Sequence, residues 1–334
     1  MLAAKLASRD EVGGTLPYHD LERRKVVIIG ATGFIGSHLA SALAREGADV
    51  VCVSRNIRGR HLPSGRNMTW KECDASIIED VRRLFEEVQP EIVYHLTSDS
   101  KGGREIAIVP DSVRNDIIAG TNVLVEATRI GKVRVVLAGS FEEPNRDDDF
   151  PCSPYAAAKS TITSYGRMIS ALGGLEVSIL RLMMTYGPRQ KSNKVLPYVI
   201  NRLKAGQIAE VGSGSRMLDW VYVDDVVDAF LRVGSLPWTG SEPIDIGTGS
   251  LMRLRDSIET IGKLMGRSDL LRFGAINDRV LEREETADVE TALQKLGWRA
   301  STSFRNGIRA TIDSIIAAIL CVIPLLIFQC GSDA

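Results

Sequence analysis

The stretch VVIIGATGFIG, residues 26–36, runs four β-branched residues into three glycines spaced three apart. The apolar run reads as a strand buried on both faces. Gly30 closes it, Gly33 lets backbone approach a pyrophosphate, and Gly36 lets the following helix pack tightly on the sheet. That helix start offers unpaired N–H groups and a positive dipole end to phosphate. Strand, glycine turn and helix in this order are the context that turns a glycine triplet into a dinucleotide site.

Outward from this segment, apolar runs at 50–53, 92–96, 133–138 and 177–182 alternate with amphipathic stretches at 36–46, 77–88, 112–130 and 154–172. The alternation predicts an α/β protein with a Rossmann-type doubly wound parallel sheet. It fades after Tyr186, leaving a strand-like run at 220–223 and helical stretches at 195–204 and 254–265. The expected organisation is a loose leader (1–24) and a dinucleotide-binding domain (25–185) to which 215–235 return. A smaller, discontinuous C-terminal substrate domain (186–214 and 236–313) and an apolar tail (314–334) complete it. Residues 315–328 are uniformly apolar. As a helix they would span about 21 Å, short of the ~30 Å bilayer core, so no integral membrane span is expected.

The 334 residues carry 41 basic and 42 acidic side chains, a balance that argues against nucleic-acid binding and against disorder. Five cysteines without C-x-x-C spacing and four scattered histidines argue against a disulfide framework and a metal site, and favour the cytoplasm.

The end of the second strand sets cofactor type. An acidic residue there would bond an adenosine ribose 2′-hydroxyl and repel a 2′-phosphate. The chain instead reads Ser54, Arg55, Asn56, with Arg58 and Arg60 close behind. Arginine suits a phosphate dianion, so NADP(H) is expected in preference to NAD(H). Asp74, beside Ala75, is placed to reach the adenine amino group.

Tyr155 and Lys159 stand at i and i+4, neighbours on one helical face. A free phenol titrates near 10, too high for proton exchange at neutral pH. An ammonium beside it, with the positive charge of a nicotinamide, would lower it. Ser140, ending the run Val-Val-Leu-Ala-Gly-Ser, would hold the same substrate oxygen.

With these motifs the chain resembles the extended short-chain dehydrogenase/reductases of the NAD-dependent epimerase/dehydratase type, which act mostly on nucleotide sugars. Further matches are VYHL (93–96), AGTNVL (119–124), Arg181 with Tyr186-Gly187-Pro188, and DWVYVDD (219–225), so the resemblance covers about residues 25–313. It implies a catalytic set of Ser140, Tyr155 and Lys159. It implies a pyrophosphate lined by Gly30, Thr32, Gly33, Phe34, Ile35 and Gly36, and a nicotinamide side formed by Leu96, Thr97, Ser98 and Leu182. It also implies a homodimer packed through two helices per subunit, here 112–130 and 154–172.

Three positions depart from the family pattern. Met184 and Leu218 replace an asparagine and an arginine that hold substrate, and Ile117 stands where a structural asparagine is usual, with Asn115 two residues away. Arg216, Arg279 or Arg283 would then neutralise a diphosphate, with Met184, Leu196 and Trp220 also facing substrate. Glu142, two after Ser140 and next to Glu143, occupies the place of a general base in dehydratases, whereas Asp147–Asp149 reads as a solvated acidic loop. The expected activity is an NADP(H)-dependent 4-ketoreductase of a nucleotide-linked keto-deoxysugar. The alternatives are a 4-epimerase or 4,6-dehydratase with the same residues, a reductase of a non-sugar ketone, or a catalytically silent dinucleotide sensor.

Overall fold

The computed structural model describes residues 19–58, 62–98, 103–144 and 150–320. Most of the expected leader, Arg60, Asp147–Asp149 and the tail beyond Leu320 lie outside these residues.

Alternating strands and helices build the first unit in chain order. They are β1 (Lys25–Ile29), α1 (Phe34–Arg45), β2 (Asp49–Ser54), β3 (Met68–Glu72), α2 (Ile78–Val88) and β4 (Ile92–His95). A broken helix follows: α3 (Val109–Ser112), a π-helical turn at Val113–Ile118, then α4 (Ala119–Ile130). β5 (Arg134–Ser140), α5 (Pro154–Gly173) and β6 (Glu176–Leu182) complete the run. In chain order there follow β7 (Met184–Tyr186), α6 (Val195–Lys204), β8 (Ala209–Val211), β9 (Met217–Tyr222), α7 (Val223–Ser235), β10 (Ile244–Ile246), β11 (Leu251–Arg253), α8 (Leu254–Met265), β12 (Leu271–Phe273), α9 (Val289–Leu296) and α10 (Phe304–Leu320).

Seven strands form one parallel sheet in the order β10-β6-β5-β4-β1-β2-β3. The order reverses between β1 and β4, the crevice where doubly wound sheets bind ligands. Val27, Ile29, Val93, Val135, Leu137, Val177 and Ile179 of the sheet pack on Val81, Leu84 and Phe85 of α2 and Val123 and Leu124 of α4. Continuous apolar strands follow from helices on both faces, and every residue of β4 is buried. The edge strand β3, sequence MTWKE, is only half-buried and has no apolar run. For that reason its sequence carries no strand signal.

Among the described residues, the first unit comprises those up to Leu182 with Val227–Ile246 and Asp288–Arg299. The second comprises Met183–Val226, Gly247–Ala287 and residues 300–320. Residues 215–235, expected to return together, are therefore divided: β9 belongs to the second unit and α7 from Val227 onward to the first. Within the second unit β7 and β11 flank β9, and β12 pairs with β8. Buried Asp219 holds this unit's loops by accepting from the N–H groups of Thr248, Gly249 and Ala287. Among the described residues no helix is long and apolar enough to cross a membrane.

Candidate active site

The glycine turn is built as its spacing predicts. Gly30 has φ +96, and a Cβ there would lie 2.9 Å from the Thr97 nitrogen. A Cβ at Gly36 would lie 2.3 Å from the Gly30 carbonyl oxygen, so only glycine lets α1 start this close to β1. Gly33 is the N-cap, in extended conformation, and no side chain caps the helix. The first-turn N–H groups at Phe34, Ile35 and Gly36 are thus available to an anion, which fits a pyrophosphate.

Around this turn, Thr32 Oγ1 lies 3.4 Å from Ser54 Oγ, and Ser54 donates to the Asn56 carbonyl. Asn56 accepts the Arg58 N–H through Oδ1. Arg55 and Arg58 are exposed. Asp74 accepts from Ser76 N–H and Oγ and pairs with Arg114 at 2.9 Å. Burial pushes its carboxyl up, but the Ser76 bonds and the Arg114 charge outweigh this and hold it below the usual range. Ala75 is buried, and its carbonyl accepts from Asn122. Leu96 N–H bonds Ile29, and Thr97 Oγ1 lies 3.2 Å from His95 Nε2. Ser98 Oγ is buried without a hydrogen-bond partner among the described residues, a polar atom suited to a ligand. Leu182 is buried at the end of β6, in register with Ser140.

Ser140 ends β5, and Tyr155 stands in the first turn of α5. Pro154 opens that helix, and Ser153 caps it by accepting Ala156 N–H at 3.0 Å. The Ser140 hydroxyl accepts Glu142 N–H at 3.2 Å and acts on the Tyr155 phenol, which it favours in its ionised form. One turn on, buried Lys159 donates to the Ala138 carbonyl at 2.9 Å, its Nζ 5.9 Å from the centre of the Tyr155 ring. The three residues expected to act together do lie together.

Their electrostatics differ from expectation. Burial pushes the Tyr155 phenol well above its usual range; the Ser140 hydroxyl pulls it down, while Glu142, Asp116 and Glu143 push it further up. Burial also pulls Lys159 down, against the charges of Asp116 and Glu143. The lysine alone therefore does not make this phenol acidic. His95, buried beside Lys159, is driven down to about 3 by burial and then by the lysine charge, so it is neutral.

Glu142 is half-buried and accepts from Ser153 Oγ at 3.4 Å and Cys152 Sγ at 3.8 Å, which ties it to the start of α5. Two carboxylates escaped the sequence reading. Asp116 is 1% exposed on the π-turn, while Ile117, where the resemblance expects an asparagine, is only half-buried. A π-turn admits one extra residue, so side chains before it rotate by one position. Glu143 is 4% exposed and accepts Ser140 N–H at 2.7 Å. Its sequence neighbours Glu142, Pro144, Asn145 and Arg146 are largely polar and give no sign of burial.

The proposed substrate residues all belong to the second unit. Met184 is half-buried on β7, paired in register with Trp220 on β9. Trp220 is buried edge-to-face against Tyr186. Leu196 is 1% exposed, a core residue of this unit. Arg216 is engaged by the Arg283 carbonyl and by Glu282, and Arg279 is exposed. Among the described residues no cluster of metal-ligating side chains occurs.

A switch-point glycine turn, with a serine ending β5 and a tyrosine and lysine one turn apart on α5, defines a dinucleotide-dependent enzyme of the Rossmann class. The chain belongs to the NAD dependent epimerase/dehydratase family, whose model matches residues 26–247. It is 32% identical to a UDP-glucose 4-epimerase of Mycolicibacterium smegmatis, over 86% of this chain and 97% of that protein. The structure of MoeE5 in complex with UDP-glucose and NAD is 28% identical, with a TM-score of 0.78 over 88% of this chain and 99% of that one. A UDP-glucose 4-epimerase from Thermotoga maritima, at 24% identity, shares the fold with a TM-score of 0.81 over 88% and 99%.

Proposed function

We propose that this protein is an NADP(H)-dependent reductase of a 4-keto sugar carried on a nucleotide. The direction rests on the end of β2, where exposed Arg55 and Arg58 suit a dissociable NADP(H), together with a proton donor at Tyr155. Burial and the neighbouring carboxylates keep it a phenol, ready to give a proton to a carbonyl oxygen. Ser140 would donate to or accept from the same oxygen, and Lys159 would anchor the strand end and the ribose. Gly30, Gly33 and the α1 start would hold the pyrophosphate, with Ser54, Arg55 and Arg58 toward a 2′-phosphate. When bound, the nicotinamide supplies the hydride and, once oxidised, a positive charge that brings the phenol toward the working range. The likeness to nucleotide-sugar enzymes supports the substrate class.

A second reading is favoured by the 32% identical relative: 4-epimerisation, in which the hydride returns to the same carbon. Elimination of water is a third, with Glu142 as the base. A single-turnover assay with NADPH and a UDP-4-keto-6-deoxyhexose separates them. Stoichiometric loss of the reduced-cofactor absorbance supports reduction, whereas product without cofactor consumption rejects it. We also propose a homodimer through α4 and α5. Ile118 and Val125 on one helical run, and Tyr165, Met168 and Leu172 on the other, are apolar and exposed.

A further inference from the structure

Strand β5 outruns its neighbour β4 by three residues: their last pair is His95 with Leu137, yet β5 continues to Ser140. Phe141 N–H turns toward β6 and meets the Leu182 carbonyl at 3.1 Å. Strand alternation therefore turns the Ser140 N–H and the Ala138 carbonyl the opposite way, to the edge that β4 has left. Buried backbone groups on such an edge need partners. Lys159 takes the Ala138 carbonyl at 2.9 Å, and Glu143 Oε1 takes the Ser140 N–H at 2.7 Å.

Glu143 N–H in turn donates to the Ser140 carbonyl at 3.0 Å, so the two residues close a ring. Gly139 makes the room: a Cβ there would lie 2.7 Å from Glu143 Oε1. Desolvating a carboxylate is costly, and an apolar side chain would fill this space more cheaply. What Glu143 adds is a hydrogen-bond acceptor at a fixed point; burial pushes its carboxyl up, against the Ser140 bond and the charges of Lys159 and Arg181. Glu142 does something different, since its carboxylate faces Ser153 and Cys152.

We propose that Glu143 is a positioning residue: by holding the Ser140 N–H on the free edge of β5, it sets the serine hydroxyl against the Tyr155 phenol. This rests on the roles proposed above for Ser140 and Tyr155, but its test does not require turnover. The full-length protein is prepared with isotope-labelled tyrosine Cζ, and the Tyr155 resonance is assigned by its loss in Tyr155→Phe. Ser140→Ala marks where that resonance goes when the hydroxyl contact is lost. Glu143→Ala is expected to move it to the same place, whereas Glu143→Gln, which keeps an acceptor oxygen, leaves it at the wild-type position. Should the alanine variant not fold, Glu143→Asp, one carbon too short to reach the N–H, replaces it with the same expectation. A Tyr155 resonance unmoved by Glu143→Ala but moved by Ser140→Ala overturns the clamp alone. If neither variant moves it, the clamp falls together with the Ser140–Tyr155 pairing. Displacement in the glutamine variant equal to that in alanine also overturns it.

Discussion

Arg55 donates to Asn115 Oδ1 at 2.7 Å, tying the end of β2 to the π-turn between α3 and α4. The guanidinium is held just beyond the end of β2, where the proposed cofactor would place its adenosine, while remaining exposed. Arg55→Ala is expected to weaken NADPH binding about tenfold, the worth of one charge-assisted bond, and to spare NADH. Fluorescence titration with both nucleotides measures this, and tighter NADH than NADPH binding in the wild type would reject the NADP preference.

Tyr155 is the proton donor in the proposed reaction. Tyr155→Phe keeps the ring and should lower turnover by roughly 10²–10⁴-fold with cofactor affinity within about twofold, as loss of a general acid does. Steady-state rates paired with cofactor titration check both halves, and unchanged turnover would refute the role.

A methyl group at Gly36 has nowhere to go, because its obstacle is the backbone carbonyl of Gly30. Gly36→Ala should cost roughly 1–3 kcal/mol of stability, in line with overpacking elsewhere, and should abolish dinucleotide binding. Urea denaturation and nucleotide titration read the two effects.

Glu126 is buried on α4 and bonded by Arg82 and Arg129. Burial raises its carboxyl, but these bonds outweigh burial and hold it below the usual range. Its contribution is therefore full above the unfolded-chain value and fades as pH falls through the lower folded value. Glu126→Gln should destabilise by roughly 1–3 kcal/mol at neutral pH, the range for bonds to a charged group, and the deficit should shrink in acid. Denaturation curves at several pH values test this; a deficit that grows in acid would contradict it.

The homodimer is tested at Met168 and Leu172, the latter 82% exposed. The double change Met168→Glu, Leu172→Glu should convert a dimer to a folded monomer on light-scattering chromatography. A wild-type monomer would dismiss the interface.

The family, the central sheet and the closeness of Ser140, Tyr155 and Lys159 were all legible in the linear order of residues. Each depends on a short-range pattern: a glycine triplet after an apolar strand, a phenol and an amine one turn apart, continuous apolar runs with helices between. The glycine positions and strands β1, β2, β4, β5 and β6 follow from those patterns because their burial is symmetric and their spacing local. Tertiary structure alone decided which acids surround the phenol. Asp116 turns inward because a π-turn shifts the helical phase by one residue, which no periodicity reveals. Glu143 faces Ser140 because β5 runs past β4, and strand overhang is a matter of pairing between distant segments. The state of Tyr155 was decided the same way: spacing places an ammonium beside it, but desolvation by the surrounding fold governs its proton.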